Sequence, residues 1–269
     1  MNDKQVEYEE YYKAIEDSSK AITQDPDNAA AFFRRGVAYR GLGQSLRALQ
    51  DINRVIELSL HVAGAFYQRA VIYDTLGETL LALQDLNRVI ELCPQHAPAF
   101  YSRGVQYDTL GETLRAIEEY DRAIELDPDY ALPFNNRGHC YVDLVQPEKA
   151  LKDLLRAREL KLDKSLPFFN RGLTYYAIGR SDLALKDWST AIELNPNNAA
   201  ALECRGHSYA HLAEYEQAIE DFDRVIQLRP DNASALESRG HSYAHLAEYE
   251  RAIRDWSRAF ELESEHELD

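Results

Sequence analysis

Apolar and small residues follow the period of an α-helix through most of the chain, interrupted by short polar segments. Phe32, Gly36 and Tyr39 stand at i, i+4 and i+7, so they share one face of a predicted helix. Ala48 and Ile52 begin a second stripe with the same spacing. Because a short polar segment separates the stripes, this part of the chain predicts two helices joined by a tight turn.

This two-helix pattern returns every 34 residues. The segment RGHSYAHLAEYE occupies residues 205–216 and occurs again, letter for letter, at 239–250. Such a period is typical of a stack of helical hairpins rather than of one globular core. Counted from Ala29, the sequence holds seven complete copies: 29–62, 63–96, 97–130, 131–164, 165–198, 199–232 and 233–266. Residues 10–28 match the second helix of a unit, so residues 1–28 are predicted to form an N-terminal capping helix, a partial repeat. Residues 267–269 form an acidic tail.

The turn between the two helices carries a glycine in four copies, where a helix C-terminus favours a left-handed backbone. These residues are Gly43, Gly77, Gly111 and Gly179. Val145, Ala213 and Ala247 stand there in the other three copies, and residues with a Cβ atom avoid that conformation. The sequence therefore predicts that those three turns are built differently.

A second recurrent glycine lies inside the first helix, three residues before a tyrosine. Glycine at such a site costs about 1 kcal/mol relative to alanine, so another requirement must explain it. Ala70 takes this place in the second copy, which indicates a demand for small volume and not for an unusual backbone angle. We expect close approach of the two helices, with Gly36 against Ala48 and Gly104 against Ala116.

The repeated pattern resembles the tetratricopeptide repeat family over residues 29–266. The resemblance rests on Gly-x-x-Tyr in the first helix, from Gly36 and Tyr39 to Gly240 and Tyr243, and on an alanine in the second helix. That alanine is Ala48, Ala82, Ala116, Ala150, Ala184, Ala218 and Ala252. The resemblance implies an all-α fold, a right-handed superhelical α-solenoid of helix-turn-helix repeats. It also implies binding of partner segments along the concave surface that the first helices line.

An arginine precedes the first-helix glycine in every copy, and an acid holds a fixed place in every second helix. The arginines are Arg35, Arg69, Arg103, Arg137, Arg171, Arg205 and Arg239, and the acids are Asp51, Asp85, Glu119, Asp153, Asp187, Asp221 and Asp255. Opposite charges at fixed positions predict a ladder of ion pairs between neighbouring copies. In this ladder Asp17 pairs with Arg35 and Asp51 with Arg69, which leaves Asp255 unpaired. The alternative is that these charges lie solvated on helix flanks.

The charge balance narrows the classes of partner. The formal net charge is −16 and no basic patch interrupts it, so nucleic acid and anionic membranes are not expected partners. The N-terminus has no apolar core segment, which favours a cytoplasmic protein. Cys93, Cys140 and Cys204 form no CxxC pair and are expected to be reduced. Because the sequence has no phosphate-binding glycine loop, GxSxG or HExxH motif, we expect neither an enzyme nor a cofactor.

The residues on one face of each first helix vary between copies, while the residues at the packing positions hardly change. Such variation is expected of a surface that recognises a ligand. We predict that these residues line a peptide-binding groove: Phe33, Val37, Arg40, Tyr67, Val71, Asp74, Tyr101, Val105, Asp108, Asn135, His139, Phe169, Leu173, Tyr176, Glu203, His207, Glu237 and His241. Aromatic and β-branched side chains without any lysine favour an apolar or basic partner segment. Asn135 and Asn136 are suited to hold a peptide backbone. The alternative is that the aromatic residues only shield the helix backbones.

Histidines stand four residues apart in the last two copies, as His207 with His211 and His241 with His245. Two imidazoles at this spacing on one helix can share a metal ion. All four around one ion are harder to arrange, because neighbouring helices lie about 8–10 Å apart. The four are therefore weak candidates for a metal or a pH-sensitive site, and no metal is expected.

The last helix carries Ile253, Trp256 and Phe260 on one face, and no later helix follows to cover them. An exposed apolar face predicts either a piece of a longer protein or a contact with another chain. The sequence thus predicts an interaction adaptor or scaffold that binds a peptide segment of a protein partner. The alternatives are a self-assembly module that forms a homo-oligomer through this face, or a regulatory domain of a larger signalling or enzyme protein.

Overall fold

The structure is a computed structural model that describes residues 3–59, 61–160 and 165–266. This part of the chain consists of α-helices joined by turns and contains no strand. The helices are α1 (Asp3–Gln24), α2 (Ala29–Gly41), α3 (Ser45–Leu58), α4 (Ala63–Thr75), α5 (Thr79–Leu92), α6 (Ala97–Thr109), α7 (Thr113–Leu126), α8 (Ala131–Asp143), α9 (Pro147–Glu159), α10 (Leu166–Ala177), α11 (Ser181–Leu194), α12 (Ala199–His211), α13 (Tyr215–Leu228), α14 (Ala233–His245) and α15 (Tyr249–His266). The predicted acidic tail at 267–269 lies outside the described residues.

The chain forms two compact units, residues 1–133 and residues 134–269. In the first unit α1 packs on α2, and the hairpins α2/α3, α4/α5 and α6/α7 follow. Each of the second helices α3 and α5 also packs against the first helix of the next hairpin. The second unit contains the hairpins α10/α11, α12/α13 and α14/α15, joined in the same way. Even-numbered helices from α2 onward are therefore the first helices of hairpins.

A large side chain of each second helix fills the space beside the glycine of its own first helix. A Cβ atom on Gly36 would lie 2.9 Å from Ile52 Cδ1, and one on Gly104 would lie 2.6 Å from Tyr120 Cε1. The predicted close approach is confirmed, but the predicted neighbours, Ala48 and Ala116, are not the nearest residues. The reason is that the side chain one turn further along is longer and reaches across to the glycine.

The interhelical turns use one left-handed residue throughout the described repeats. Gly43, Gly77, Gly111 and Gly179 have φ between 71° and 75°, as predicted. Val145, Ala213 and Ala247 have φ of 55°, 61° and 60°, so the prediction that these turns are built differently is wrong. Two backbone hydrogen bonds recur in both kinds of turn. Gly43 N donates to Arg40 O and Gln44 N to Tyr39 O, and likewise Ala213 N donates to Ala210 O and Glu214 N to Tyr209 O. Closure of the hairpin therefore imposes the conformation, whatever residue stands there.

The repeated arginine and the repeated acid of each hairpin form an ion pair with each other. Arg69 Nε and Nη2 donate to the two carboxylate oxygens of Asp85, both at 2.7 Å, and Arg239 binds Asp255 in the same way. The predicted pairing of Asp51 with Arg69 is therefore wrong, and so is the prediction that Asp255 is unpaired. Asp85 is buried, so the alternative of solvated charges is also wrong for this pair.

A third nitrogen of the arginine reaches the preceding hairpin. Arg69 Nη1 donates to Asn53 Oδ1 at 2.8 Å, and Arg239 Nη1 donates to Asp223 Oδ1 at 2.6 Å. Arg35, Arg103 and Arg205 make the equivalent bonds to Ser19, Asn87 and Ser189. The predicted link between neighbouring hairpins therefore exists. Its acceptor is not the repeated acid of the preceding hairpin but the residue two positions after that acid.

Among the described helices, none combines the length and the hydropathy that a transmembrane span requires.

Candidate functional site

The first helices of the first unit, α2, α4 and α6, present the predicted groove residues as a half-buried row. Val37, Val71 and Val105 are partly exposed, as are Arg40 and Asp108, and Asp74 is exposed. Phe33 and Tyr67 are partly buried and pack against the apolar core of the unit. Truncation of these two aromatic residues would therefore disturb the fold as well as the surface.

A cavity of about 150 Å³ lies between α4, α5 and α6. Four predicted groove residues line it: Val71, Asp74, Tyr101 and Val105. The other lining residues are Ala70, Leu86, Ser102 and Gln106. The structure therefore brings together side chains that the sequence places in two different repeats, with apolar walls and a carboxylate. We call this the acidic pocket.

Gln106 is the polar floor of the acidic pocket, and sequence reasoning missed it. Its side chain is 2% exposed, and its Nε2 donates to Asp74 Oδ1 at 2.6 Å. Its Oε1 is buried and has no hydrogen-bond partner among the described residues. The sequence does contain a signal for this residue, because apolar residues, Ala38 and Ile72, stand at the equivalent position in the two preceding copies. A long amide at a core position indicates a special environment.

Tyrosine side chains gather beside the acidic pocket. The rings of Tyr101 and Tyr130 meet edge to face with centroids 5.3 Å apart, and the Tyr67 hydroxyl lies 3.4 Å from Ser102 Oγ. Burial raises the pKa of Tyr130 well above its ordinary value, and the neighbouring hydroxyls of Tyr101 and Tyr67 add to this shift. Tyr130 is the last residue of the copy 97–130. The sequence did not predict its place in this cluster, because tyrosine does not recur at that position of the repeat.

In the second unit, Asn135 does not lie on an open surface as predicted. It is 2% exposed, its Oδ1 accepts a hydrogen bond from Asn170 Nδ2 at 3.2 Å, and its Nδ2 donates to Asn136 Oδ1. Asn170 is buried as well, so the two amides satisfy each other between hairpins. Asn135 is therefore part of the interior and has no free amide to offer a peptide backbone.

The other predicted groove residues of α8 and α10 remain at the surface. His139 is partly exposed and its Nδ1 lies 3.5 Å from Asp143 Oδ2. Phe169 and Leu173 are partly buried, and Tyr176 is exposed with its ring 5.8 Å from that of Trp188. These four residues therefore form a row at the surface of the second unit.

A second cavity, of about 220 Å³, lies between α12 and α14 and contains all four weak metal candidates: His207, His211, His241 and His245. His207 Nε2 lies 2.9 Å from Ser238 Oγ, and the His245 ring stacks on Tyr215 with centroids 4.5 Å apart. We call this the imidazole pocket. Glu203, on the same helix as His207, is partly exposed, and Glu237 is exposed.

The interpretation of the four histidines as weak metal candidates stays a prediction. Within the described part of the chain, no group of three or more His, Cys, Asp or Glu residues is arranged to hold a metal ion. Burial lowers the pKa of His207, while the charge of Glu203 opposes that shift. The imidazole pocket therefore offers imidazole rings and hydroxyl groups, and burial favours the neutral form of His207.

The predicted self-association face is exposed at two of its three residues. Ile253 is 59% exposed and Phe260 is 72% exposed. One repeat earlier, Ile219 and Ile226 are partly buried, and Ile226 packs against the core residues of the next hairpin. Trp256 is half-buried beside Gly240 and His241, so it belongs mainly to the interior of its own hairpin.

Comparison with solved structures finds the same fold in several proteins. PilF of Pseudomonas aeruginosa is 25% identical over 72% of this chain and 88% of that chain, with a TM-score of 0.66. The APC/C hetero-tetramer Cut9–Hcn1 matches 94% of this chain and 50% of that chain at 18% identity, with a TM-score of 0.74. YrrB, described as a TPR protein with an unusual peptide-binding site, matches 70% of this chain and 97% of that chain at 21% identity, with a TM-score of 0.56.

Comparison with curated protein sequences found no match. Family models, in contrast, match the chain at several places. Models described as tetratricopeptide repeats match residues 19–50, 63–96 and 199–232, and one described as a TPR repeat matches residues 109–145 and 172–212. These matches span more than half of the chain and agree with the helical hairpins of the structure. The chain belongs to the tetratricopeptide repeat family.

Proposed function

We propose that the protein is a non-catalytic interaction adaptor that binds an extended peptide segment of a partner protein along α2, α4 and α6. The acidic pocket carries this proposal, because a cavity lined by four independently predicted groove residues is a place where a partner side chain can be buried. Membership of a family whose members generally act as scaffolds supports interaction as the class of function. The peptide-binding site named for YrrB supports peptide as the class of ligand.

The chemistry of the row suits a segment with apolar and basic side chains. The walls contributed by Val71 and Val105 gain roughly 25 cal/mol for each Å² of apolar surface that a partner covers. Tyr101 adds an aromatic face whose position is fixed by its contacts with Tyr120 and Tyr130, so little entropy is lost on binding. Asp74 supplies a carboxylate at the edge of the cavity.

The test is selection of peptides from a random twelve-residue display library on the intact chain. The Kd of an enriched peptide is then measured by fluorescence anisotropy for the chain and for a Val71→His, Val105→His variant. Histidine stands at both equivalent positions in the imidazole pocket, as His207 and His241, so the fold tolerates it. We expect at least about tenfold weaker binding, because the apolar walls are lost.

The matched control is Leu80→His, Leu114→His, since both leucines are 68% exposed on the second helices of the same unit. Circular dichroism checks that the helix content of both variants is unchanged. Equal weakening by both variants, or by neither, would contradict a groove along the first helices.

The second candidate function is self-assembly through Ile253 and Phe260, which is favoured by their exposure relative to Ile219 and Ile226. Sedimentation equilibrium of the chain and of an Ile253→Glu, Phe260→Glu variant tests this proposal. A mass that falls from oligomer to monomer in the variant supports it, and a monomeric parent chain refutes it. A cytoplasmic location and a regulatory role within a larger protein stay predictions from the sequence.

A further inference from the structure

The acidic pocket and the imidazole pocket occupy the same position in the repeat, four copies apart, yet they differ in chemistry. Val71, Asp74, Val105 and Gln106 correspond to His207, Ala210, His241 and Ser242. The first helix of one hairpin and the first helix of the next therefore create the same cavity, and the variable residues decide what it can hold. In the first copy the residue equivalent to Asp74 is Arg40. The charge at this position thus changes sign along one chain.

The carboxylate of the acidic pocket is held in place by a buried donor. Gln106 Nε2 binds Asp74 Oδ1 at 2.6 Å, and this amide has almost no exposed surface. Asp74 is exposed, but a carboxylate held by a hydrogen bond loses little conformational entropy when a cation binds it, which distinguishes Asp74 from a surface acid without such a bond. The structure therefore presents a positioned negative charge at the edge of a cavity.

Apart from Asp74, the cavity has apolar walls, the side chains of Tyr101 and Ser102, and one unused acceptor on Gln106. Ala70, Val71, Leu86 and Val105 line its walls. Oε1 of Gln106 has no partner among the residues that the structure describes, although it is buried. A buried carbonyl without a donor is unfavourable, so a ligand that brings an N–H group into the cavity relieves this cost.

We propose that the acidic pocket receives a cationic side chain, lysine or arginine, of the bound peptide. The inference rests on the proposed function, since it assigns the chemistry of one position within that groove. The methylene stem of the side chain packs between Val71 and Val105, and its charged head donates to the free oxygen of the Asp74 carboxylate and to Gln106 Oε1. Long basic side chains suit such a site because their stem is apolar and their head is charged. A neutral apolar side chain of equal length would donate to neither oxygen and would leave the buried Gln106 Oε1 without a donor.

Charge complementarity excludes an acidic side chain at this position. The chain has a formal net charge of −16, so an acidic segment is repelled over its whole approach. In the cavity itself an acid would face Asp74 directly. A basic segment is attracted over the same distance, and its specificity arises where one of its cations meets the positioned carboxylate.

The experiment uses an equimolar set of nine-residue peptide libraries that differ only at the central residue. That residue is lysine, arginine, norleucine, glutamine or glutamate, and the other positions are randomised. Capture on the immobilised intact chain is quantified by mass spectrometry. We expect lysine or arginine libraries to be captured about tenfold more than the norleucine library, as a charged hydrogen bond between partly desolvated groups implies.

Two variants use residues that the chain itself places at the equivalent position. Asp74→Ala, which matches Ala210, is expected to bring the cation-to-norleucine ratio close to one. Asp74→Arg, which matches Arg40, is expected to reverse the order so that glutamate exceeds lysine. Glu118→Ala, an exposed acid on the second helix α7, is the control for net charge and should leave the ratio unchanged.

The outcomes separate this inference from the proposed function. Capture of peptides without preference for a cation, or a preference that survives Asp74→Ala, overturns the cationic pocket and leaves peptide binding in place. Capture of none of the libraries by the intact chain overturns both. A preference that Glu118→Ala removes as fully as Asp74→Ala reflects net charge and also overturns the cationic pocket.

Discussion

Relief of the left-handed strain at Ala213 is expected to stabilise the second unit. Ala213 has a φ of 61° in the turn between α12 and α13, a conformation that costs a residue with a Cβ atom about 1–2 kcal/mol. Glycine removes that cost but also makes the unfolded chain more flexible, which offsets about 0.4–1 kcal/mol. Ala213→Gly is therefore expected to raise the free energy of unfolding by about 0.5–1 kcal/mol.

Gly179→Ala provides the mirror experiment in the same unit. Gly179 has a φ of 74°, and a Cβ atom built on it meets nothing within 4 Å, so only the backbone conformation opposes the substitution. The turn hydrogen bonds match those at Ala213: Gly179 N donates to Tyr176 O at 2.9 Å, and Ala213 N donates to Ala210 O at 3.1 Å. The same reasoning predicts that this variant loses about 0.5–1 kcal/mol.

The assay is urea unfolding followed by tryptophan fluorescence. The sequence has two tryptophans, Trp188 and Trp256, and both lie in the second unit with the two substituted turns. The change in free energy is taken from the shift in midpoint at a constant m value. If Ala213→Gly lowers the midpoint while Gly179→Ala raises it, flexibility of the unfolded chain dominates and the argument from strain is refuted.

Three further predictions follow from contacts inside the hairpins. Arg205→Met is expected to cost about 2–3 kcal/mol at pH 7, because it leaves Asp221 buried without its partner. Burial raises the pKa of Asp221 and Arg205 opposes this shift, so removal of Arg205 should raise the pKa of the folded state further. The buried carboxyl of the variant then takes up a proton as pH falls, and the loss of stability should shrink. Urea unfolding at pH 7 and pH 4.5 measures this, and an equal loss at both would contradict it. Glu203→Gln should lower the pKa of His207 further, because the glutamate charge is the main influence that opposes the lowering caused by burial. An NMR titration that finds no change in this pKa would exclude the electrostatic contact. Gly104→Ala should cost about 1 kcal/mol in urea unfolding followed by circular dichroism, because a Cβ atom 2.6 Å from Tyr120 Cε1 costs about 1–3 kcal/mol and the helix propensity of alanine offsets about 1 kcal/mol. A gain of about 1 kcal/mol would show instead that the ring moves freely.

The features of the fold that depend on local sequence could be predicted. Those that depend on which neighbouring helix a side chain contacts could not. Helix periodicity and the left-handed glycines at Gly43 or Gly77 are properties of short segments. The partner of Arg69 is different, because Asp51 and Asp85 stand 18 residues before it and 16 after it, and both recur with the same period. A strict repeat makes the two pairings indistinguishable from sequence. Only the packing of α4 against α5 selects Asp85.

The candidate site was predicted in part, for a related reason. Variation between copies marks Val71, Asp74 and Val105, because surface positions change while core positions do not. Variation cannot mark Gln106, because this residue stands at a position that core residues occupy in other copies. Its buried side chain contacts the acidic pocket through Asp74. Variation also misassigns Asn135, whose amide is used by Asn170 in the neighbouring hairpin. Variability identifies a face of a helix but not the depth of each side chain.

The separation between constant and variable positions explains how one fold can hold two unlike pockets. The arginine–acid pair and the contact of glycine with a large side chain fix the hairpin, and Val71, Asp74 and Val105 take part in neither. Substitution at those positions therefore changes the chemistry of the cavity at little cost to packing. This is why Asp74, Arg40 and Ala210 can occupy one register in the same chain. Exchange of these three residues at position 74 is therefore expected to alter which peptide binds before it alters the stability of the hairpin.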